Sequence, residues 1–392
     1  MLARSSKPIT LGVIGAGVSA ATAHVPAALG SDDFDLVALL DRDRSQLERF
    51  DKAQIPHLCD QPDDFFAVKG IEAVIVATPD ATHADFVSRA LEHGFHVLVE
   101  KPMARNLEEC ERLVQLAATR DLVLAVGHEK RFHPTLAQVG TMLTQDVIGD
   151  PFLCGVHWAS AAKLDAQLIP KGFERGYRWR WEDAGAGGGI LQDHLPHYVD
   201  LLRHWTGSEP AAIYAVVENV AKQRLGWPAA ASVWEDVALA VVRFTGGLTF
   251  RFETGVVGRS LSPLWSLGSG VGEWTEYGYV FGTTGQVLFD LLPWDSTENG
   301  RIALWDKELA LTKRQGWSYV EQLEPERRSG GAAATMFGRQ LREWAHAIRG
   351  EPSEVALGHD GLVAIATVRA GYESAERRAE VEIPTRKAGV TQ

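Results

Sequence analysis

The stretch ITLGVIGAGVSAATAHVPAALG, residues 9–30, decides the fold of the N-terminal part of the chain. It contains no Asp, Glu, Lys or Arg, and Arg4 and Lys7 precede it, so a signal segment or membrane anchor is one interpretation. Four glycines, a histidine and Pro26 would interrupt such an apolar helix. A short strand, a glycine turn and a helix explain all of them, and we therefore predict this unit and no membrane partner.

The turn in this stretch has the pattern G-x-G-x-x-A, a version of the dinucleotide fingerprint. Gly15 can make the tight turn after the strand, Gly17 lets a pyrophosphate approach the backbone, and Ala20 permits close packing of helix on strand. The helix that begins at Val18 and Ser19 would then direct its N-terminus toward the phosphates. The pattern predicts a dinucleotide cofactor, with Gly15, Gly17, Val18 and Ser19 in contact with it.

Asp41 ends the second predicted strand, where its carboxylate can accept hydrogen bonds from both ribose hydroxyls of a dinucleotide. The same charge repels a 2′-phosphate, which favours NAD over NADP as the cofactor. Arg42 follows directly and can pair with a 2′-phosphate, so use of NADP remains an alternative, and a solvated surface charge is another.

Size and composition limit the classes of function. A chain of 392 residues with 45% hydrophobic residues suggests two globular domains. A net charge of -12 argues against nucleic acid or an anionic membrane as the main partner. Cys59, Cys110 and Cys154 fit neither a disulfide framework nor a zinc motif, and they indicate buried thiols in a reducing cytoplasm.

The order of strand-like and helix-like segments predicts an α/β protein. Up to about residue 128, apolar runs alternate with helical patterns such as 82–93 and 106–120, which indicates a doubly wound parallel sheet. Residues 129–392 predict an α+β domain with an open, mainly antiparallel sheet and helices on one face. Its helical patterns cover 133–145, 190–205, 335–349 and 358–377, and Gly246 and Gly247 predict a hairpin turn.

The stretch HVLVEKP, residues 96–102, places Lys101 just beyond the end of a predicted parallel strand. Ligands of doubly wound sheets bind at the carboxyl ends of the strands, so Lys101 is directed at the nicotinamide side, although a solvated loop lysine is the commoner case. VATPDATH, residues 76–83, ends the preceding strand with a similar proline turn. The residues predicted to border the cofactor at this edge are Thr78, Pro79, His83, Glu100 and Lys101.

A second constellation lies in GGGILQDHLPHYVD, residues 187–200. In a helix, Asp193 and His197 share one face, where Asp193 can bind a substrate hydroxyl and His197 can move a proton. Asp200 falls three residues further on, so a metal site is an alternative, but we predict no metal because the sequence lacks a further histidine pattern. Capping and surface charges at a helix start are the remaining interpretation.

Four cations crowd into IPKGFERGYRWRWED, residues 169–183, of an otherwise acidic protein. Such a loop can bind the carboxylate, phosphate or sulfonate of a sugar, although pairing with its own Glu and Asp residues explains it equally well. Nearby tryptophans can stack on a pyranose ring or simply pack in the core. The predicted substrate-binding residues are Lys171, Arg175, Arg178, Trp179 and Arg180 of this loop, together with His194.

The chain resembles the Gfo/Idh/MocA oxidoreductases in its glycine-turn stretch, in the stretch from VATPDATH to VEKP and in GGGILQDHLPHYVDLLRHWTG, and in their order over nearly all of residues 8–350. The resemblance implies an N-terminal Rossmann domain, a C-terminal open sheet for substrate binding and oligomer contacts, and NAD(P)-linked chemistry on sugars and cyclitols. It also implies that Lys101 is the catalytic lysine of the E-K-P motif, and that Asp193 and His197 are the D-x-x-x-H pair with the histidine as acid/base. The chain departs from the family pattern at His194, where relatives often have small residues.

Three functions are compatible with the sequence. The first is an NAD-dependent dehydrogenase that removes hydride from a hexopyranose, at carbon 3, with an anionic sugar or its glycoside as substrate. The second is a glycosidase that oxidises the sugar transiently with bound NAD, as family branches do on sulfoquinovosides. The third is a non-catalytic NAD-binding sensor, which would not need Lys101, Asp193 and His197 together. In each case we expect a cytoplasmic homo-oligomer, a dimer or tetramer, that binds a small molecule and no nucleic acid.

Overall fold

A computed structural model of the chain describes residues 7–160, 187–220, 234–255, 274–291, 300–306, 317–319 and 331–384. The chain divides into two compact units. The first contains the described residues up to Glu129 together with Ala333–Leu362, and the second contains those within Lys130–Ala332 and Val363–Lys387. The predicted division at 128/129 places all later residues in the second domain, whereas Ala333–Leu362 belongs to the first unit. A helical pattern in the sequence does not reveal which of the two units the helix joins.

The first unit is built on a parallel sheet. Its strands are β1 (Ile9–Ile14), β2 (Phe34–Leu40), β3 (His57–Cys59), β4 (Ala73–Val76), β5 (His96–Glu100) and β6 (Leu124–Gly127). They pair in the order β3-β2-β1-β4-β5-β6, and every pair is parallel. All four residues of β4 are buried, as expected for a parallel strand covered on both faces. The predicted doubly wound sheet is confirmed.

The described helices include every helix predicted from periodicity, with differences only at their ends. They are α1 (Val25–Leu29), preceded by a π-helical turn (Ala20–His24), α2 (Arg44–Leu47), α3 (Pro62–Phe66), α4 (His83–Glu92), α5 (Leu107–Arg120), α6 (Pro134–Thr144), α7 (Ile190–Thr206), α8 (Gly331–Ile348) and α9 (Gly358–Arg377). The start of α5 shows why the local sequence is helical. Asn106 accepts a hydrogen bond from the Glu109 N–H at 2.9 Å, which satisfies a helix-start donor that has no partner within the helix.

The register of the parallel sheet aligns the strand ends that carry the predicted site. Ile14 of β1 lies opposite both Leu40 of β2 and Val76 of β4, and Val76 lies opposite Val99 of β5. The residues that follow β1, β2, β4 and β5 therefore lie along one edge of the sheet. This edge is where ligands of doubly wound sheets bind.

The second unit is built on a nine-stranded open sheet. Its strands are β7 (Pro151–Ser160), β8 (Pro210–Glu218), β9 (Val237–Phe244), β10 (Thr249–Gly255), β11 (Trp274–Gly282), β12 (Gly285–Leu291), β13 (Arg301–Asp306), β14 (Trp317–Tyr319) and β15 (Val381–Glu382). The order is β14-β13-β12-β11-β7-β10-β9-β8-β15. Neighbours are antiparallel except β7 and β10, which are parallel, so the predicted mainly antiparallel sheet is confirmed.

Burial along the strands shows that one face of this sheet forms a core. In β9, Val242 is fully buried whereas Val241 is 41% exposed, as the two-residue period of a strand requires. On the buried face, Tyr198 of α7 packs on Phe250 and Phe252 of β10, with ring centroids 6.3 and 5.8 Å apart. The prediction of helices on one face holds for these strands.

Two further predictions concern membranes and thiols. Within the described residues, we find no helix with the length and apolarity needed to cross a bilayer. Cys110 and Cys154 are buried as predicted, whereas Cys59 at the end of β3 is partly exposed. None of these three cysteines forms a disulfide bond.

Candidate active site

The glycine turn after β1 has the shape that a dinucleotide phosphate needs. Gly15 has a φ of 101°, a conformation that favours glycine, and a Cβ there would lie 2.5 Å from the Ala77 carbonyl oxygen. A Cβ at Gly17 would meet no atom within 4 Å, so the backbone there is open to a ligand. Val18 and Ser19 follow and are partly exposed. The turn therefore fits a pyrophosphate against the backbone.

Asp41 is fixed beside this turn by hydrogen bonds to the backbone. Its Oδ2 accepts from the Ala16 N–H at 2.8 Å, and its Oδ1 accepts from the Asp43 N–H at 2.9 Å. Each carboxylate oxygen can accept more than one hydrogen bond, so Asp41 can also receive ribose hydroxyls. The neighbouring Arg42 is exposed.

His83 connects the segments that follow β4 and β5. Its imidazole is fully buried, with Nδ1 2.8 Å from the Pro102 carbonyl oxygen and Nε2 2.8 Å from the Thr78 carbonyl oxygen. Each ring nitrogen is thus within hydrogen-bond distance of a backbone carbonyl oxygen. Through these two bonds His83 holds in place the backbone of the segment containing Thr78 and Pro79. Its predicted role toward the cofactor would therefore be to position this backbone.

Glu100 ties the lysine-bearing end of β5 to the start of the glycine-turn helix. Its Oε1 lies 2.6 Å from the buried His24 Nε2 and accepts from the Ser19 hydroxyl at 3.3 Å, while its Oε2 accepts from the Lys101 N–H at 3.1 Å. Burial by itself raises the pKa of Glu100. The hydrogen bond and charge of His24, with the charges of Lys101 and His83, outweigh burial and hold this pKa below its ordinary value. Glu100 is therefore an anion beside Lys101.

Lys101 itself follows β5 directly and is partly buried. The Lys101–Pro102 peptide bond is cis. Because of the strand register, Lys101 lies on the same sheet edge as the glycine turn and Asp41. The first unit thus brings together every predicted cofactor-contacting position at one edge.

In the second unit, α7 carries Asp193, His194 and His197, which are 3%, 6% and 4% exposed. Asp193 and His197 are one turn apart on the same face of the helix, as predicted. The His194 ring stacks on Trp158 of β7 at 3.8 Å, and its Nε2 lies 3.3 Å from the Asp193 Oδ2. His194 therefore contacts one predicted catalytic side chain and packs on the sheet. Its role in binding substrate stays a prediction.

Asp200, three residues after His197 on this helix, is engaged in an ion pair. Its carboxylate accepts from the Arg131 Nε at 2.7 Å and from a terminal guanidinium nitrogen at 2.6 Å. Asp200 is fully buried and Arg131 nearly so, so this two-point contact fixes α7 to the segment before α6. Within the described part of the chain, no group of three His, Cys, Asp or Glu side chains is arranged to hold a metal ion.

A buried cluster around Glu276 of β11 is not predicted from the sequence. Glu276 is fully buried, and its Oε1 receives hydrogen bonds from the Lys130 ammonium at 2.5 Å and from the Tyr198 hydroxyl. The Lys130 ammonium also lies 5.4 Å from the centre of the Tyr198 ring. Lys130 soon follows β6, as Lys101 follows β5, and this placement is the signal that could have drawn attention to it.

Comparison with known proteins follows the same division of the chain. A model described as the oxidoreductase family with an NAD-binding Rossmann fold matches residues 9–128, and a C-terminal domain model of the GFO/IDH/MocA proteins matches residues 136–287. The chain belongs to the Gfo/Idh/MocA oxidoreductase family. The predicted resemblance, the Rossmann domain and NAD as cofactor are thereby confirmed.

Relatives of this Gfo/Idh/MocA chain include enzymes named for sugars and cyclitols. The myo-inositol 2-dehydrogenase of Thermotoga maritima is 23% identical over 380 residues, which cover 95% of this chain and 98% of the relative. The oxidoreductase YdgJ of Escherichia coli is 29% identical over 197 residues, and this chain spans about half of its length, 53%. The structure of a levoglucosan dehydrogenase with NADH and levoglucosan shares the fold, with a TM-score of 0.78 at 20% identity, over 97% of this chain and all of that one.

Several predicted substrate-binding residues of this Gfo/Idh/MocA chain lie outside the described residues. They are Lys171, Arg175, Arg178, Trp179 and Arg180. Of the predicted substrate-binding set, His194 alone lies within them.

The first prediction concerns the choice of cofactor by this Gfo/Idh/MocA chain. Asp41→Ala is expected to weaken NAD binding by about tenfold or more, because acceptors for the ribose hydroxyls are lost. The affinity for NADP should fall less, because the substitution also removes the charge that repels the 2′-phosphate of NADP. Dissociation constants for both nucleotides, measured by fluorescence titration, test this. Asp35→Ala, at an exposed position of β2, is the control, and unchanged constants in Asp41→Ala would refute the assignment.

Proposed function

We propose that this chain removes hydride from carbon 3 of a hexopyranose with NAD as the hydride acceptor. The observation that carries the proposal is the place of Lys101, directly after β5 on the sheet edge that holds the glycine turn and Asp41. A cation at that edge, next to an ionised Glu100, suits a reaction in which an alcohol oxygen gains negative charge.

The cofactor is held by residues of the first unit. The backbone around Gly15 and Gly17 receives the pyrophosphate, and Asp41 accepts the ribose hydroxyls. Thr78 and Pro79, whose segment is fixed by His83, adjoin the nicotinamide side. Bound NAD supplies a carbon that accepts hydride from the sugar.

The chain's own part in the reaction is to move the proton and stabilise charge. When a secondary alcohol becomes a ketone, its O–H and C–H bonds break and a C=O bond forms, so the hydroxyl proton needs a base. His197 takes this proton on its ring, and Asp193 accepts a hydrogen bond that orients the reacting hydroxyl or the imidazole. The Lys101 ammonium stabilises the negative charge that develops on the sugar oxygen. Support for these roles comes from the burial of Asp193 and His197 on one helix face.

The substrate is proposed to carry an anionic substituent, which the basic run at residues 171–180 binds. We expect Arg178→Ala to raise KM for a sulfonated or carboxylated hexoside by about tenfold or more, the scale of one charged hydrogen bond. KM for the matching neutral glucoside should change little. Steady-state kinetics on both substrates give the answer, with Lys171→Ala, Arg175→Ala and Arg180→Ala tested in parallel. Equal effects on both sugars would show that this run does not bind an anionic substituent.

Net hydrolysis of a glycoside through transient oxidation is the second candidate, favoured by the same basic run and by His194 beside Asp193. One experiment separates the two. The protein is incubated with NAD and either free sugars or aryl glycosides, and NADH absorbance is followed together with aglycone release. Accumulation of NADH with free sugar supports the dehydrogenase. Aglycone release without accumulated NADH supports the glycosidase, and neither signal with any sugar would overturn both.

A homo-oligomer is part of the proposal, since the open face of the second sheet exposes paired apolar side chains. Tyr214 lies directly opposite Val241, and Val216 directly opposite Leu239, with exposures between 37% and 45%. Exposed apolar patches of this kind mark protein contacts. Val241→Asp is therefore expected to shift the protein toward the monomer in size-exclusion chromatography with light scattering. A wild-type protein that is already monomeric would contradict this part of the proposal.

A further inference from the structure

The start of α7, the helix that carries Asp193 and His197, is capped by residues from elsewhere in the second unit. Gly189 occupies the cap position and has no side chain to satisfy the first N–H groups. Tyr372 of α9 accepts from the Gly189 N–H at 3.0 Å through its hydroxyl oxygen. The Glu235 carbonyl oxygen accepts from the Ile190 N–H at 3.3 Å, and the Glu235 Oε1 accepts from the next N–H, that of Leu191, at 2.9 Å.

Glu235 and Tyr372 also bind each other. The Tyr372 hydroxyl donates to the Glu235 Oε1 at 2.7 Å, so one carboxylate oxygen receives both a side-chain and a backbone donor. Burial raises the pKa of Glu235 above its ordinary value despite these hydrogen bonds. The partial positive charge of a helix start favours a carboxylate at this place. Three consecutive N–H groups, the carboxyl and the phenol therefore form one closed set of hydrogen bonds.

Two glycines make this close approach possible. A Cβ at Gly188 would lie 2.3 Å from the Tyr372 hydroxyl oxygen. A Cβ at Gly189 would lie 2.4 Å from the Glu235 carbonyl oxygen and 2.8 Å from its Oε2. The glycines before α7 are therefore required by the space that Glu235 and Tyr372 occupy.

Arg369, one turn before Tyr372 on α9, reinforces the contact. Its guanidinium donates to the Gly187 carbonyl oxygen at 2.9 Å and to the side-chain oxygen of Gln192. The same group lies 4.8 Å from the centre of the Tyr372 ring. Gln192 immediately precedes Asp193, so α9 holds both the residues before α7 and its first turn.

We infer that Glu235 and Tyr372 are positioning residues, which set the orientation of Asp193 and His197 by fixing the first turn of α7. Asp193 lies in that turn, since its N–H donates to the Gly189 carbonyl oxygen at 3.0 Å, and His197 follows one turn later. Small displacements of a catalytic group lower the rate of the chemical step more than the binding of ligands. The inference rests on the proposed function, in which these two side chains handle the substrate hydroxyl.

The test compares Tyr372→Phe, Glu235→Gln and Glu235→Ala with wild type. Tyr372→Phe keeps the ring and loses only the hydroxyl, and Glu235→Gln keeps an acceptor oxygen for the Leu191 N–H. We expect kcat for sugar oxidation to fall about tenfold or more in Tyr372→Phe and Glu235→Ala, with rescue to within about threefold in Glu235→Gln. The dissociation constant for NADH should be unchanged. Glu376→Ala, at an exposed position of α9, is the control.

Amide hydrogen exchange supplies a readout that does not need turnover. In Tyr372→Phe, exchange in the peptide spanning 187–200 should rise, while exchange in α5 stays at the wild-type rate. If the wild-type protein oxidises no sugar but exchange rises in Tyr372→Phe as expected, the proposed function fails. The structural role of Glu235 and Tyr372 at the start of α7 is then still supported. Unchanged kcat in Tyr372→Phe, with or without altered exchange, overturns the inference, as does an equal loss of kcat and NADH affinity. If Glu235→Ala does not fold, the inference is tested by Tyr372→Phe and Glu235→Gln alone.

Discussion

Lys101→Ala is expected to lower kcat for sugar oxidation by about a hundredfold or more, the scale of a lost charge-stabilising or acid/base group. This effect is expected from the position of Lys101 and from the charge beside it. Lys101 follows β5 on the cofactor edge of the sheet, and its ammonium is the cation next to the ionised Glu100. Binding of NAD should persist, because the glycine turn and Asp41 do not use this side chain. Steady-state kinetics give kcat, and fluorescence titration gives the NADH dissociation constant.

The matched control is Lys69→Ala, which removes an exposed lysine from the same unit and is expected to leave kcat unchanged. Lys101→Arg keeps a cation of different shape and should retain part of the activity that alanine loses. Near-normal kcat in Lys101→Ala would remove the catalytic assignment. A parallel loss of NADH binding would instead show that Lys101 acts through the cofactor.

The first unit could be predicted from the sequence because its determinants are local. Strands β1, β2, β4 and β5 are mainly apolar runs followed by a glycine, an acid or a proline turn, and parallel pairing aligns their ends. The parallel register of the strands is sufficient to place Gly15, Asp41 and Lys101 along the same edge of the sheet. The spacing of Asp193 and His197 needed only the period of a helix.

The contacts that hold the second unit together could not be predicted in this way. Glu235 and Tyr372 are separated by 137 positions, and Arg131 and Asp200 by 69, and no periodic pattern connects the members of either pair. The parallel pairing of β7 with β10 also depends on how the whole sheet closes. From the sequence alone, a charged residue is expected to lie on the solvated surface. Its burial can be predicted only when the residue that pairs with it is known. Asp200 and Glu276 are the clearest cases, since both are fully buried.

His197→Ala is expected to lower kcat by about a hundredfold to ten-thousandfold, the range for loss of a general base. His197 is 4% exposed and lies on the same helix face as Asp193, so alanine removes a proton acceptor without removing a surface charge. Added imidazole should restore part of the activity, because it can occupy the space left by the ring and take the same proton. Rates at saturating sugar and NAD, with and without imidazole, measure both effects.

His204→Ala, at an exposed position in the last turn of the same helix, is the control and is expected to keep the wild-type rate. If His197 only packs in the core, then His197→Gln, which keeps most of the volume, should retain activity, and imidazole should have no effect on His197→Ala. If His197 is the base, both variants lose kcat while the NADH dissociation constant stays unchanged. A rise in KM for the sugar with unchanged kcat would contradict the proton-transfer role, because a general base acts on the chemical step.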